Sequence, residues 1–107
     1  MDNEAMAEVI VDNRNRYEIL VDGELAGYEE YTLEPGVVSF NHTVVLPAFE
    51  NRGLARRLVS ELLDRARDSG LAVLPYCPYV ASFIRRNPAE YLDLVPEDRR
   101  AEFKLTT

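Results

Sequence analysis

The stretch FNHTVVLPAFENRGLARRLVSELL, residues 40–63, decides the fold, because a strand pattern changes to a helix pattern within it. Beyond Pro47 the apolar residues recur at helical spacing and form one face: Leu54, Ala55, Leu58, Val59, Leu62, Leu63 and Ala66. The opposite face is polar: Arg56, Arg57, Ser60, Glu61, Asp64, Arg67 and Asp68. This spacing predicts an amphipathic helix over residues 53–68, which ends at Ser69-Gly70.

Four strands are predicted before this helix, from short runs rich in β-branched and aromatic residues. They cover residues 7–12, 17–22, 25–33 and 37–46. Asp22-Gly23 is a two-residue hairpin signal, because such a turn needs positive φ. Pro35-Gly36 marks a further turn. The first half of the chain is therefore expected to form an antiparallel four-stranded meander.

After the helix, LAVLP (residues 71–75) is almost continuously apolar, which suits a buried strand that pairs in parallel after a helical crossover. Residues 78–86 predict a short helix with Val80, Phe83 and Ile84 directed inward. The segment PEDRRAEF, residues 96–103, has acids first and arginines later, the charge order that favours a short terminal helix. The predicted class is α+β, in the order ββββαβα with one more short helix.

Length and composition limit the kind of protein. The 107 residues fit one domain, residues 1–107, and the balance of 47% hydrophobic and 29% charged residues is typical of a globular chain. We expect a cytoplasmic location without membrane attachment, since no leader pattern or apolar stretch of spanning length is present and the one cysteine, Cys77, cannot form an internal disulfide. A net charge of −7 disfavours nucleic acid as a partner.

The charge is distributed unevenly along the chain. Residues 1–36 carry ten acids against two arginines, whereas residues 51–87 carry seven arginines against three acids. A local basic field on an acidic protein indicates a small polyanion held at one place, with the acidic remainder attracting a cationic second ligand. Ordinary scatter of surface charge is the alternative interpretation.

Gly53 stands where the strand pattern ends and the helix begins. The first backbone N–H groups of a helix lack intrahelical partners, and with the helix dipole they attract phosphates. Gly53 would let the backbone approach such a ligand, Ala55 leaves the way clear, and Arg52, Arg56 and Arg57 could bind the outer phosphates. The alternative is that Gly53 only connects two elements.

The combined pattern resembles the GNAT superfamily of acetyl-CoA-dependent acetyltransferases, whose phosphate loop reads Q/R-x-x-G-x-G/A. Residues 50–55, ENRGLA, match its glycine and its final small residue, with Glu50 where Gln or Arg is usual. A closer resemblance covers almost the whole chain: small GNAT-like proteins with HTxV, the glycine loop, PxCP[FY]V, an arginine-rich helix and HPEY. Here the corresponding segments are residues 42–45 (HTVV), 75–80 (PYCPYV), 85–86 (RR) and 87–91 (NPAEY), the last without its histidine.

This resemblance implies an acetyl-CoA site in the opening where the fourth and fifth strands separate. The pantetheine arm would pair with backbone near Val44, Val45 and Leu46. The pyrophosphate would lie on the backbone amides of residues 51–55: Asn51, Arg52, Gly53, Leu54 and Ala55. No metal is expected from one histidine and one cysteine without a nearby carboxylate cluster.

Larger GNAT enzymes often use a tyrosine on the helix after the fifth strand as proton donor, and the resemblance places Ile84 or Arg85 near that position. We therefore expect Cys77 and His42 to act instead. Cys77 could accept the acetyl group or protonate the leaving thiolate, and His42 could take the proton of the amine. A buried structural cysteine and a hydrogen-bonded core histidine remain the alternatives, because His42 alternates with apolar residues of its strand.

The leading hypothesis is an acetyl-CoA-dependent N-acetyltransferase acting on an amine, such as a lysine side chain of a protein or another cationic acceptor. A non-catalytic acyl-CoA binding or sensing module and a small interaction domain are the other hypotheses. Glu29, Glu30 and Glu34 are candidate acceptor contacts, although an exposed acidic hairpin is the preferred interpretation. Tyr76 and Tyr79 are expected to pack against the core or a ligand.

Overall fold

The computed structural model describes residues 8–105. The strands are β1 Glu8–Asn13, β2 Arg16–Val21, β3 Glu24–Glu34, β4 Val37–Val45 and β5 Ala72–Pro75, and the helices are α1 Leu54–Asp68, α2 Pro78–Arg86 and α3 Pro88–Tyr91. Shorter 3-10 segments occur at Pro47–Phe49, Leu92–Leu94 and Glu97–Phe103.

One sheet runs in the order β1-β2-β3-β4-β5. The first four strands pair antiparallel and β5 pairs with β4 in parallel. Asp22 and Gly23 have φ of 50° and 83°, as the two central residues of a tight hairpin turn require. The predicted α+β fold, with its meander, helix and parallel fifth strand, is confirmed.

At most of the strand ends, the predicted bound differs from the observed bound by a single residue. Residue 7, the start of the first predicted strand, lies outside the described residues. Helix α1 begins at Leu54 because Gly53 is its N-cap, and the terminal segment forms a 3-10 helix instead of an α-helix. The short helix α3 was not predicted. It follows directly after α2, where Pro88 cannot continue the preceding helix.

The core lies between the sheet and the helices. Its α1 contribution is the predicted apolar stripe, of which Leu54, Leu58, Val59, Leu62, Leu63 and Ala66 are buried. The sheet face that packs against α1, called the inner face here, carries Ile10, Ile19, Val38 and Phe40. Helix α2 adds the predicted Val80, Phe83 and Ile84. Together these contacts fix both helices against β4, the strand that borders the candidate site.

No helix within residues 8–105 combines the length and the apolar character needed to span a bilayer.

Candidate functional site

The turn into α1 adopts a left-handed backbone twice within three residues. Asn51 has φ of 66° and Gly53 has φ of 73°. A left-handed conformation at Gly53 is one that an L-residue adopts only with strain. The turn is held on one side by buried Phe49 and on the other by the bond from the Arg57 N–H to the Gly53 carbonyl, at 3.0 Å. The start of α1 is therefore rigidly placed.

The N-terminus of α1 is electropositive. Gly53 provides no side-chain cap, and the described first turn contains no acidic residue. The amides of the first turn therefore keep hydrogen-bonding capacity, and the helix dipole adds partial positive charge at the same end. Among residues 8–105, a β-carbon at Gly53 would meet only the Arg56 guanidinium, at 3.8 Å, so these residues leave a ligand room against the backbone. This end of α1 suits an anion such as a phosphate.

A cavity of about 430 Å³ opens at this helix end. Six of the residues predicted to bind acetyl-CoA line it: Val45, Asn51, Gly53, Leu54, Ala55 and Arg56. Phe49, Glu50 and Tyr79 complete the lining. The structure thus brings together one residue of β4, the glycine loop and the first turns of α1 and α2.

The other predicted binding residues lie around this cavity without lining it. Val44 belongs to β4 and Leu46 follows that strand, with its N–H bonded to the Ala26 carbonyl at 2.8 Å. The Arg52 guanidinium stacks over the Phe49 ring. Arg57 forms ion pairs with Glu8 and Glu61, each at 3.1 Å, whereas exposed Arg56 has no ion pair within residues 8–105.

Strands β4 and β5 separate beside the cavity. Their parallel pairing runs from Val37 and Ala72 to Phe40 and Pro75, and one more bond follows, from the Cys77 N–H to the Phe40 carbonyl at 2.8 Å. Strand β4 continues to Val45 and there pairs with β3. A free strand edge of this kind can accept an extended ligand by backbone hydrogen bonding.

His42 lies on the face of the sheet opposite the inner face. Glu30 pairs with His42 but Tyr31 pairs with Phe40, so Asn41 is an extra residue in β4, a β-bulge. The bulge reverses the alternation of side chains beyond it, and His42 is exposed. The alternative of a core histidine is therefore wrong, because it assumed unbroken alternation from Phe40.

Thr43, and not His42, is the β4 residue whose side chain contacts the Cys77 sulfur. The Thr43 hydroxyl lies 3.0 Å from the Cys77 sulfur. Cys77 is 2% exposed and is the N-cap of α2, where its carbonyl accepts the Ala81 N–H at 3.0 Å. Cys77 is a free thiol. The two predicted catalytic residues thus point to different sides of the sheet, with the thiol on the inner side.

Glu29 is the third member of this cluster. It is paired with Thr43 across β3 and β4 and accepts a hydrogen bond from the Thr43 hydroxyl. The carboxyl is 0% exposed, so the expectation of an exposed acidic hairpin is wrong for Glu29, although Glu30 and Glu34 are exposed. Burial raises the pKa of Glu29 from 4.5 to about 7, and the Thr43 hydrogen bond offsets only part of that rise.

Helix α2 does carry a tyrosine at the cavity, but not at Ile84 or Arg85, the positions that the sequence analysis compared with the tyrosine proton donor of larger GNAT enzymes. Ile84 is fully buried, and Arg85 donates to the carbonyls of Phe103 and Lys104 at 2.9 and 3.0 Å. Tyr79, in the first turn of α2, lines the cavity. Tyr76 is 48% exposed and its hydroxyl accepts a bond from Arg99 at 2.9 Å.

Sequence reasoning missed Thr43, and it named Glu29 only as an exposed acid or an acceptor contact and not as a buried partner of Thr43. A signal for Glu29 was present, because Leu33, Tyr31 and Glu29 alternate along β3 and therefore share one face. Thr43 gave no comparable signal, since its inward direction depends on the bulge at Asn41. Within residues 8–105 no group of three or more His, Cys, Asp or Glu residues is arranged to hold a metal ion.

Comparison with known proteins gives a family and similar solved structures. The family model described as GCN5-related N-acetyl-transferase matches residues 16–94. No curated protein matches the chain. Among solved structures, the chain is similar to a ribosomal-protein-alanine N-acetyltransferase from Brucella melitensis biovar Abortus 2308, with 20% identity and a TM-score of 0.49. That match covers 78% of this chain and 64% of the other, so the chain spans less than two thirds of that protein's length.

Proposed function

The chain belongs to the GCN5-related N-acetyltransferase family, and from that premise we propose that it transfers an acetyl group from acetyl-CoA to an amine. The family is one of acyltransferases, and acetyl-CoA is the donor its members generally use. The observation that carries the proposal is the cavity at the N-terminus of α1, with open amides, Gly53 and Arg56 on one side and the free edge of β4 on the other.

The proposed cofactor position follows from the chemistry of each part. Phosphates bind the amides of residues 51–55 and the Arg56 guanidinium, and the pantetheine arm pairs with β4 near Val44, Val45 and Leu46. Arg52 and Arg57 contribute positive charge beside the phosphates. Arg57 is not assigned a direct phosphate contact, because its guanidinium already forms ion pairs with Glu8 and Glu61. The thioester then lies toward the point where β4 and β5 separate, next to Cys77.

Cys77 and His42 are the proposed catalytic residues. The thiol lies on the inner side of the sheet, at the junction of β5 and α2, where the thioester would arrive. His42 is exposed on the other side, so it can act only on an amine that reaches the opening from that side. An amine must lose a proton when it attacks a thioester, which is the task of a base such as a neutral imidazole.

The acceptor is proposed to be cationic, a protein lysine or another amine. Net charge is −7 and the exposed acids Glu30 and Glu34 lie on β3, so the long-range field favours a positive partner. Nucleic acid and membranes are not proposed as partners. A cytoplasmic location is proposed because Cys77 is a free thiol.

The experiment is an acetyl-transfer assay with a panel of amines: lysine peptides, polyamines and peptides with free N-termini, with CoA release as readout. The proposal predicts product from at least one cationic amine and severe loss of activity in Cys77→Ala. Asp68→Asn, an exposed change at the other end of α1, is the matched control and retains activity. Full activity in both Cys77→Ala and His42→Ala would contradict the assigned catalytic roles but not the reaction.

A non-catalytic acyl-CoA binding module is the second candidate. It is favoured by the absence of a tyrosine at the two positions compared with the usual proton donor. Ile84 is buried there, and Arg85 is hydrogen-bonded to the Lys104 carbonyl. This alternative predicts saturable binding of acetyl-CoA with no acetylated product from any amine of the panel.

A further inference from the structure

Within the part of the chain that the structure describes, a carboxyl group is buried in the sheet without an ion pair. Glu29 is 0% exposed, and no ion pair within residues 8–105 includes it. Its Oε2 atom has no hydrogen-bond partner among the described residues. A buried acid that is neither ion-paired nor fully hydrogen-bonded destabilises the fold relative to an apolar residue, and such groups are rare in native proteins. Such a group is expected where its chemistry is used.

The one side chain that satisfies Glu29 is also the one that contacts the thiol. The Thr43 hydroxyl has a single hydrogen, and it donates that hydrogen to Oε1 of Glu29. Only the oxygen lone pairs then remain for Cys77, so the thiol donates its proton to Thr43 across the 3.0 Å contact. The hydrogen bonds therefore run in one direction, from Cys77 through Thr43 to Glu29.

This chain of hydrogen bonds ends beside the proposed cofactor cavity. Val45, two residues beyond Thr43 on the same face of β4, lines the cavity, and so does Tyr79, two residues beyond Cys77. Cys77 and Glu29 do not themselves line the cavity. The thiol contacts Thr43, two residues from the lining residue Val45, and the carboxyl contacts the same Thr43 hydroxyl. The carboxyl is 0% exposed, and among residues 8–105 the Thr43 hydroxyl is the group that connects it to the thiol.

We propose that Glu29 is the base that removes the proton of Cys77 through the Thr43 hydroxyl, so that Cys77 accepts the acetyl group before the amine does. This inference rests on the proposed function and selects its covalent route. Thr43 acts as a positioning residue, because it joins the base to the nucleophile without contacting the substrate's reacting carbon.

The steps balance without a further reactant. The thiol gives its proton to Thr43 as Thr43 gives its own to Glu29, which leaves a thiolate and a neutral carboxylic acid. The thiolate attacks the thioester carbonyl, the bond from that carbon to the CoA sulfur breaks, and CoA leaves as a thiolate that takes a proton from solvent. A neutral amine then attacks the acetyl-Cys77 carbonyl, the amine proton goes to solvent or His42, and the released Cys77 thiolate recovers its proton from Glu29 through Thr43.

Several groups surround the carboxyl and set its titration. Tyr17 of β2 lies opposite Glu29 in the sheet register, Thr43 and the backbone of His42 face it from β4, and Cys77 follows Thr43 at the start of α2. Glu30, its neighbour in β3, raises the pKa slightly by like charge. With a pKa of about 7, Glu29 is able both to accept and to return a proton near neutrality.

The test is the rate at which Cys77 is acetylated by acetyl-CoA in the absence of an amine, followed by the intact mass of the full chain. The chain has one cysteine, so a gain of one acetyl group that Cys77→Ser abolishes identifies the site. The wild-type rate is expected to rise with pH as Glu29 loses its proton, around pH 7, and then to level off. Glu29→Gln and Thr43→Val are expected to be slower by roughly 100-fold near neutral pH.

Two further readouts separate a base from a structural residue. The deficit of Glu29→Gln is expected to shrink at high pH, where a thiol ionises without a base. Thr43→Ser keeps the hydroxyl and is expected to restore most of the rate. Glu24→Gln is the matched control, because it removes an exposed carboxylate at the far end of the same strand and is expected to change the rate by no more than about twofold.

Acetyl-CoA binding is measured on each variant by calorimetric titration, so that loss of binding is not taken for loss of chemistry. A Glu29→Gln or Thr43→Val variant that binds acetyl-CoA and acetylates Cys77 at the wild-type rate would overturn the relay. A wild-type protein that acetylates amines without any acetyl-Cys77 would also overturn it, and the proposed function would stand. A wild-type protein that does not bind acetyl-CoA would overturn the proposed function itself.

Discussion

The Thr43 hydroxyl lies 3.0 Å from the Cys77 sulfur, and this contact joins the inner face of β4 to the residue that caps α2. It stands just past Phe40 and Pro75, the last residues through which β4 and β5 pair. The place where the sheet opens is therefore also the place where a buried carboxyl, a hydroxyl and a thiol are connected.

Replacing Glu29 with Gln is expected to change the pH dependence of stability. The pKa of Glu29 is raised in the folded state from 4.5 to about 7, so the folded protein holds this proton more tightly than the unfolded one. The contribution of this bound proton to the free energy of unfolding is fully present below pH 4.5 and is lost as pH rises through about 7. The quantity to compare is the free energy of unfolding of Glu29→Gln minus that of wild type. Above that pH, this difference should be about 3 kcal/mol more favourable to the variant than it is in acid.

The measurement is urea unfolding of both proteins at several pH values between acid and mildly alkaline conditions. Glu24→Gln is the control, because it removes an exposed carboxylate from the same strand. A Glu29→Gln difference that is constant across this range would show that Glu29 ionises normally in the folded protein.

Gly53→Glu is expected to abolish acetyl-CoA binding. The new carboxylate would lie at the open amides of the α1 N-terminus and compete with a phosphate there. The substitution also places an L-residue at φ of 73°, at a cost of about 1 kcal/mol in folding free energy. Thermal-shift titration with acetyl-CoA measures the loss of binding.

Gly70→Glu is the matched control for that experiment. Gly70 follows the other end of α1, has φ of 70°, and a β-carbon there meets nothing within 4 Å. The same charge and a similar backbone cost are therefore introduced away from the cavity. Equal loss of the acetyl-CoA response in both variants would contradict a phosphate site at Gly53.

Arg56→Ala is expected to weaken acetyl-CoA binding more than Arg57→Ala. Arg56 lines the cavity and is exposed, whereas Arg57 is held by Glu8 and Glu61. Loss of one charge-assisted hydrogen bond corresponds to roughly a tenfold increase in Kd, and the effect should shrink at high salt. Calorimetric titration at two salt concentrations checks both statements, and a larger effect of Arg57→Ala would place the phosphates elsewhere.

Gly27→Ala is expected to destabilise the fold beside the cavity. A β-carbon at Gly27 would lie 2.5 Å from the Val44 carbonyl oxygen and 3.2 Å from the Val45 Cα, both backbone atoms that cannot turn aside. We expect a loss of about 2 to 3 kcal/mol in urea unfolding. Gly23→Ala, which meets nothing within 4 Å but has φ of 83°, should lose only about 1 kcal/mol. An equal loss in both would contradict this close approach.

The fold could be predicted from the sequence because its signals are local. The helical spacing of Leu54, Leu58 and Leu62, the hairpin at Asp22-Gly23 and the apolar run before Cys77 each specify an element without reference to the rest of the chain. Such a pattern still identifies its helix or strand when the end is misplaced by one residue, which explains why the elements are predicted correctly while most bounds differ by a residue.

The arrangement of the candidate site could be predicted only in part. The glycine loop is a local feature and six predicted residues do line one cavity. The direction of His42, however, depends on the one-residue bulge at Asn41, which reverses every later side chain of β4. The meeting of Glu29, Thr43 and Cys77 depends on strand register and on the start of α2, and neither is a property of a short stretch of sequence.

The central claim is that the chain is an acetyl-CoA-dependent member of its family and binds the donor at the α1 N-terminus. Its most direct test is calorimetric titration of the wild-type chain with acetyl-CoA, repeated on Gly53→Glu and Gly70→Glu. We predict saturable binding at one site for wild type and Gly70→Glu, and no binding for Gly53→Glu. Absence of binding to the wild type, or equal binding to all three proteins, would contradict the account.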